Sequence, residues 1–299
     1  MMKPKEPTAA ARTPAREPVR DKVQKVLAAA GFASRRAVEQ AIVRGEIEVN
    51  GRAAALGARV APGDMIRWGQ RQYQVPNGRA AQPRVILYHK PEGEMCTRND
   101  PEGRPTVFGR MPRLETGRWV AVGRLDFNTS GLLLLTTDGE LANKLMHPST
   151  DIEREYLVRV QGHVEDATLE QLCAGVVLDD GEAKFRQIAR GPAASGANSW
   201  FYCTVGEGRN REVRRLWESQ QLRVSRLKRV RFGPLTIPSW VRQSQWLELS
   251  GRDLGTVYQL AGLEPPAQPK LTREMKVKRE RTEARLRSGG RPNKRPKGV

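Results

Sequence analysis

The sequence predicts an α+β fold in two parts, a small helix-and-sheet domain over residues 21–75 and a larger domain over 84–265 on a largely antiparallel sheet. Three observations carry this expectation. Two helical apolar periodicities near the amino terminus lead into Asn50-Gly51, the strongest short hairpin signal. Beyond residue 84, strand-like and helix-like runs mix without a regular β-α-β beat, the pattern of an α+β domain. Both ends, 1–20 and 266–299, are rich in Pro, Ala, Gly, Arg and Lys with little to bury, so they are expected to be disordered arms.

In the small domain, Val23, Val26, Leu27 and Ala30 fall at i, i+3, i+4 and i+7, one face of a helix that Gly31 stops. A second helix starts after Ser34, a suitable N-cap, and runs through Ala37, Val38, Ala41 and Ile42 to Gly45. Strand material follows at Glu46–Val49, then toward Val60 and from Met65 to Trp68. Arg35 and Arg36 open the second helix, whose positive end favours phosphate, and Arg44 and Arg52 lie nearby.

Residues 76–83 read as a linker. In the larger domain, strand-like runs stand at Arg84–Tyr88, Trp119–Val122, Leu132–Thr136, Tyr156–Val160, Trp200–Val205 and Leu222–Phe232. Helical runs stand at Gly139–Met146, Val164–Ala174 and Arg211–Gln220, and Thr137 with Glu140 has capping-box spacing.

Composition narrows the function. The 299 residues hold 52 Lys plus Arg against 33 Asp plus Glu, a formal charge of +19. The first twenty residues carry +3 and 270–299 carry +9. Basic arms on a basic body point to a polyanionic partner. Leu271, Met275 and Val277 would allow a short tail helix to form on it; the other reading is that the arms only aid solubility. Apolar runs such as Gly131–Leu135 are far shorter than the roughly 20 residues a membrane span needs, and the amino terminus lacks a secretory signal, so a cytoplasmic protein is expected. Three cysteines at least thirty residues apart and three histidines argue against a disulfide framework or a metal centre. There is no phosphate loop, nucleophile elbow, His-Glu-x-x-His or zinc-deaminase pattern, so no cofactor is expected.

Three constellations can carry chemistry. Gly123–Gly131 is a polar loop held between two strands, and Asp126 is its only carboxylate. Asp126 and Asn128 can equally make side-chain-to-backbone turn bonds. In Arg154–Val160, alternation puts Tyr156, Val158 and Val160 on one face; Tyr156 can be core, or a phenol at a core edge that stacks on a base. In Glu207–Trp217, Val213, Leu216, Trp217 and Gln220 mark an inner helix face beside Arg211, Arg214 and Arg215. A guanidinium there would keep a nearby carboxylate ionised, or the basic face would bind phosphate.

Together these motifs resemble known families. Ser34–Glu39 through Val49-Asn50-Gly51 resembles the RNA-binding domain named after ribosomal protein S-four. Gly123-Arg124-Leu125-Asp126, Asn128–Gly139, Arg154-Glu155-Tyr156 and Glu207–Arg215, in this order, resemble a pseudouridine synthase of the RsuA-type branch that modifies bacterial ribosomal RNA. The resemblance spans about residues 21–265. It implies an S-four-like domain followed by a synthase catalytic domain, acting on ribosomal RNA, most closely that of the large subunit, as a cofactor-free, metal-free monomer.

It also implies roles. Asp126 matches the catalytic aspartate, Tyr156 the tyrosine that stacks on the target base, and Arg214 the basic partner of the aspartate. Arg124 matches the arginine that fills the space of the flipped base, and Val213 an apolar pocket residue. Many relatives carry Lys where this chain has Arg154, which keeps a phosphate contact but disfavours proton transfer there. Arg35, Arg36, Arg44, Arg52, Arg124, Arg154, Arg209, Arg211 and Arg215 are the expected RNA contacts. The competing reading is a non-catalytic ribosome assembly factor that keeps the fold.

Overall fold

The computed structural model describes residues 20–77, 82–192 and 198–267, with Arg281 and Ala284 beyond them. Nearly all of both expected arms, the tail helix around Leu271, Met275 and Val277, and the middle of the expected linker lie outside the described residues. The chain divides into two compact units, 1–81 and 82–299.

In the small unit, β1 (Asp21–Lys22) leads into α1 (Val23–Ala29) and α2 (Arg35–Val43). Ser34 caps α2 by accepting from the Ala37 amide at 3.1 Å, and Gly31 takes a φ of 87° just beyond α1. A four-stranded sheet follows in the order β3 (Arg52–Ala53), β2 (Ile47–Val49), β5 (Met65–Trp68), β6 (Arg71–Gln74); β4 (Arg59–Val60) pairs instead with β1. Asn50 and Gly51 both have positive φ, 51° and 78°, the backbone of a type I′ hairpin. Val23, Leu27, Val38, Ala41, Ile47 and Ile66 close the core under both helices.

The large unit contains β7 (Val85–Lys90), β8 (Val120–Val122), β9 (Ser130–Thr136), α3 (Gly139–Met146), β10 (Arg154–Gln161), α4 (Asp166–Ala174), β11 (Val176–Leu178), β12 (Gly181–Ala183), β13 (Gln187–Arg190), β14 (Asn198–Val205), α5 (Glu212–Glu218), β15 (Val224–Phe232), β16 (Leu235–Thr236), β17 (Trp246–Glu248) and α6 (Gly251–Leu260). Its main sheet runs β13-β14-β10-β15-β9-β7-β17, with β8 on β9 and β16 on β15. Every pairing is antiparallel except β9 with β15, so the largely antiparallel expectation is met.

Strand β9 organises this unit. Leu133 and Leu135 enter one apolar cluster with Val158, Phe201 and Trp217, while Leu132 and Leu134 enter another with Leu141, Val257 and Tyr258. Period-two alternation on a strand buried on both sides produces the continuous run Leu132–Leu135.

Two local expectations are corrected. Thr137 is not the cap of α3: its Oγ1 accepts from the Arg84 amide at 2.9 Å. Asp138 takes the role, accepting from the amides of Glu140 and Leu141 at 2.9 and 3.1 Å. Arg211 is outside α5, because it adopts a left-handed φ of 49° that starts the helix at Glu212.

Candidate active site

An open cleft of about 900 Å³ lies in the large unit, bounded by the loop after β8, β10, β15 and the start of α5. Asp126 sits on the loop Gly123–Thr129 between β8 and β9. Its carboxylate makes no hydrogen bond or ion pair among the described residues, so the turn-bond alternative fails for Asp126, and Asn128 contributes only its main-chain carbonyl.

The main chain of this loop is pinned from behind. Lys90, fully buried at the end of β7, donates from Nζ to the carbonyls of Pro91 and Asp126, each at 3.0 Å, and of Thr129 at 2.9 Å. Burial holds its ammonium below the usual lysine range, while the Cys96 thiol, Glu94 and Asp126 pull the other way. Arg214, buried on α5, donates from Nη2 to the Asn128 carbonyl at 2.9 Å and from Nη1 to the Val224 carbonyl at 3.0 Å. Burial, and then the charge of Arg211, lowers its pKa, and Asp126 opposes the shift. No ion pair joins Arg214 to Asp126; the guanidinium holds the loop by its backbone. Cys96 completes the support, its Sγ accepting from the Leu125 amide at 3.4 Å, with burial raising the thiol pKa.

Tyr156 faces the cleft from β10, almost buried and with its phenol unpartnered among the described residues. Opposite it in the sheet is Arg229, whose Nε donates to the Leu132 carbonyl at 2.7 Å and whose buried Nη2 has no partner among the described residues. Arg154 donates from Nη1 to the carbonyls of Ile152 and Gly206, both at 2.6 Å. Its guanidinium carbon and that of Arg229 stand 5.4 and 5.5 Å from the centre of the Phe232 ring. Burial lowers the Arg154 pKa, and Arg229 adds to the shift. Glu212, buried in the cleft wall, accepts from the Arg209 amide at 3.3 Å, and burial raises its carboxyl above the usual range.

Of the residues singled out by sequence, Arg124, Asp126, Arg154, Tyr156, Arg209, Arg211 and Val213 line this cleft. Arg124 is exposed and has no ion-pair partner among the described residues, whereas Arg209 pairs with Glu207 at 2.6 Å and Arg211 with Glu218 at 3.2 Å. Arg215 lies outside the lining, held by both oxygens of Asp180 at 2.8 Å. Arg35, Arg36, Arg44 and Arg52 are exposed on the small unit, and Arg44 is paired with Glu46. Sequence reasoning missed Lys90, Cys96, Glu212 and Arg229. Lys90 and Arg229 had a readable signal, a cation at an inward position of a strand.

Comparisons with known proteins place the chain in a family. The model of RNA pseudouridylate synthase matches residues 84–219, and that of the S4 domain residues 22–66. A ribosomal large subunit pseudouridine synthase B of Pseudomonas aeruginosa is 53% identical over 264 residues, 88% of this chain and 68% of that protein. One of Escherichia coli is 49% identical over 288 residues, 91% of this chain and 99% of that protein. A crystal structure of a pseudouridylate synthase shares the fold, with a TM-score of 0.55 at 21% identity over 80% of this chain and 99% of that one. With the loop, the strand tyrosine and the Arg-bearing helix in place around one cleft, and relatives matched over most of its length, the chain belongs to the RNA pseudouridine synthase family, in the branch that carries an S4 domain.

Proposed function

We propose that this enzyme isomerises one specific uridine of large-subunit ribosomal RNA to pseudouridine, with Asp126 acting on a flipped-out nucleotide and without a cofactor. The names of its relatives support the substrate. The observation that carries the chemistry is the unpartnered Asp126 carboxylate, on a loop fixed by Lys90 and Arg214, sharing a cleft with the unpartnered Tyr156 phenol.

The isomerisation breaks the C1′–N1 bond, turns the uracil and joins C5 to C1′; the proton lost from C5 is balanced by one gained at N1. No electron or group is exchanged with another molecule, so protein side chains suffice. Asp126 begins the sequence either as a nucleophile or by taking a ribose proton to give a glycal. Taking a base out of the stack costs roughly a few kcal/mol, which favours loops and weakly paired targets. Tyr156 provides the platform for the freed base, Val213 an apolar wall, and Arg124 fills the vacated space. Arg154, Arg209, Arg211 and Arg215 serve the surrounding phosphates, as do Arg35, Arg36, Arg44 and Arg52 of the small domain. The domain over 21–75 selects structured RNA, the domain over 84–265 reacts, and the enzyme works as a cytoplasmic monomer.

The test is tritium release from large-subunit ribosomal RNA labelled at uracil C5, with wild type and Asp126→Asn. Release by wild type alone, with RNA affinity retained in the variant, is expected. No release by wild type from either naked RNA or assembly particles would favour the binding-factor alternative.

A further inference from the structure

Among the described residues, one face of the main sheet is half bare. On the cleft side, α4 and α5 cover the sheet through Leu172, Val213, Leu216 and Trp217. On the opposite side, α3 and α6 cover β7 and β9, but no residue of β10, β13 or β14 joins that cluster. Leu157, Trp200 and Tyr202 point to this side, belong to neither core and remain partly exposed.

The register sets cations among these rings. Arg159 lies opposite both Trp200 and Arg226, and Leu157 opposite both Tyr202 and Lys228. Arg159 is held in place by a 2.8 Å bond from Nε to Ser225 Oγ, with its guanidinium carbon 5.8 Å from the Trp200 ring centre. Arg159, Arg226 and Lys228 have no ion-pair partner among the described residues. The carboxylate at the end of the same face, Glu155, is taken by Arg231 at 3.2 Å.

From this face we infer that the enzyme has a second RNA-binding surface, remote from the cleft, on which a single-stranded segment lies across β10, β14 and β15. Two bases stack on Trp200 and Tyr202, and the phosphates meet Arg159, Arg226 and Lys228. Residues i and i+2 of a strand are about 7 Å apart, which suits adjacent bases of an extended strand. Aromatic platforms bordered by cations are how sheets bind single strands without sequence preference. Residues 268–299 are strongly basic in sequence, like this face, so charge complementarity favours a polyanion as its occupant. The surface would anchor rRNA flanking the target while the cleft holds the uridine.

The test uses the full chain and a fluorescein-labelled ten-nucleotide oligoadenylate, which offers the cleft no uridine. Trp200→Ala with Tyr202→Ala should weaken binding about tenfold or more. Arg159→Gln with Arg226→Gln and Lys228→Gln should lower the slope of log affinity against log salt by about 2. Turnover of a minimal stem-loop should stay within about twofold in both. Wild-type binding by both variants, or binding of polyglutamate in place of oligoadenylate, overturns the inference. Ultraviolet crosslinking to wild type provides the control against misfolded variants: adducts at Trp200 or Tyr202 support the surface, and adducts confined to other peptides refute it. Absence of wild-type turnover with oligoadenylate binding intact would remove the proposed reaction and leave this surface standing.

Discussion

Replacing Lys90 by Met separates the enzyme's stability from its catalysis. Methionine keeps most of the apolar stem of the side chain but removes the ammonium that joins three carbonyls, two of them, Asp126 and Thr129, in the loop between β8 and β9. The Asp126 carbonyl keeps the Thr129 amide at 3.1 Å, and each of the two carbonyls left orphaned, of Pro91 and Thr129, costs roughly 1–3 kcal/mol. Against this stands relief from burying an ammonium, which is itself several kcal/mol. The opposing contributions leave a net loss of about 2 kcal/mol, or a fall in Tm of roughly 4–8 °C for a unit of this size. Catalysis has no such compensation, because a displacement of about 1 Å at a reacting group can lower the rate about 100-fold. The expected result is a kcat about 100-fold down in single-turnover tritium release, with RNA affinity within about twofold by filter binding. A folded Lys90→Met variant within threefold of the wild-type kcat would refute the clamp and leave Lys90 as space-filling.

Other outcomes follow from the same geometry. Arg214→Lys can no longer serve the carbonyls of Asn128 and Val224 together, so single-turnover rates should fall about 10- to 100-fold with unchanged RNA affinity. Gly131→Ala would bring a Cβ to 2.2 Å from the Arg229 carbonyl oxygen at a φ of +114°, where β9 meets β15; thermal melts should show a loss of about 3–5 kcal/mol or no soluble protein. Burial raises the Glu212 carboxyl above its unfolded value, so the folded state holds the proton longer and wild-type stability declines as pH rises from the unfolded pKa through the folded one. Glu212→Gln removes that loss, and its Tm advantage should grow as pH rises above about 4.5, the ordinary carboxyl value; an advantage independent of pH would show that Glu212 titrates alike in both states.

Helix α3 and the hairpin at Asn50-Gly51 were readable because their determinants lie within a few residues: a 3.6-residue apolar period, a cap, and two positions that tolerate positive φ. The cap of α3 was misassigned by one residue because Thr137 was taken by Arg84, 53 positions earlier. The loop that carries Asp126 was equally local, since Gly123, Asn128 and Gly131 punctuate it and Asp126 is its only acid. The helix start at Glu212 was not, because it follows from the left-handed φ of Arg211, which depends on surrounding packing.

The sequence by itself determined two α+β units, a basic character suited to RNA, and the ordered motifs that carry Asp126, Tyr156 and Arg214. Tertiary structure alone decided how those residues are held. Lys90 reaches carbonyls 36 and 39 residues away, Arg229 comes to Tyr156 by strand register, and Arg214 acts on the loop backbone rather than on the Asp126 carboxylate. Local patterns specify elements because periodicity and caps are near-neighbour effects; a buried cation is satisfied by whichever carbonyls the completed sheet brings within about 3 Å, and no spacing in the chain records that choice.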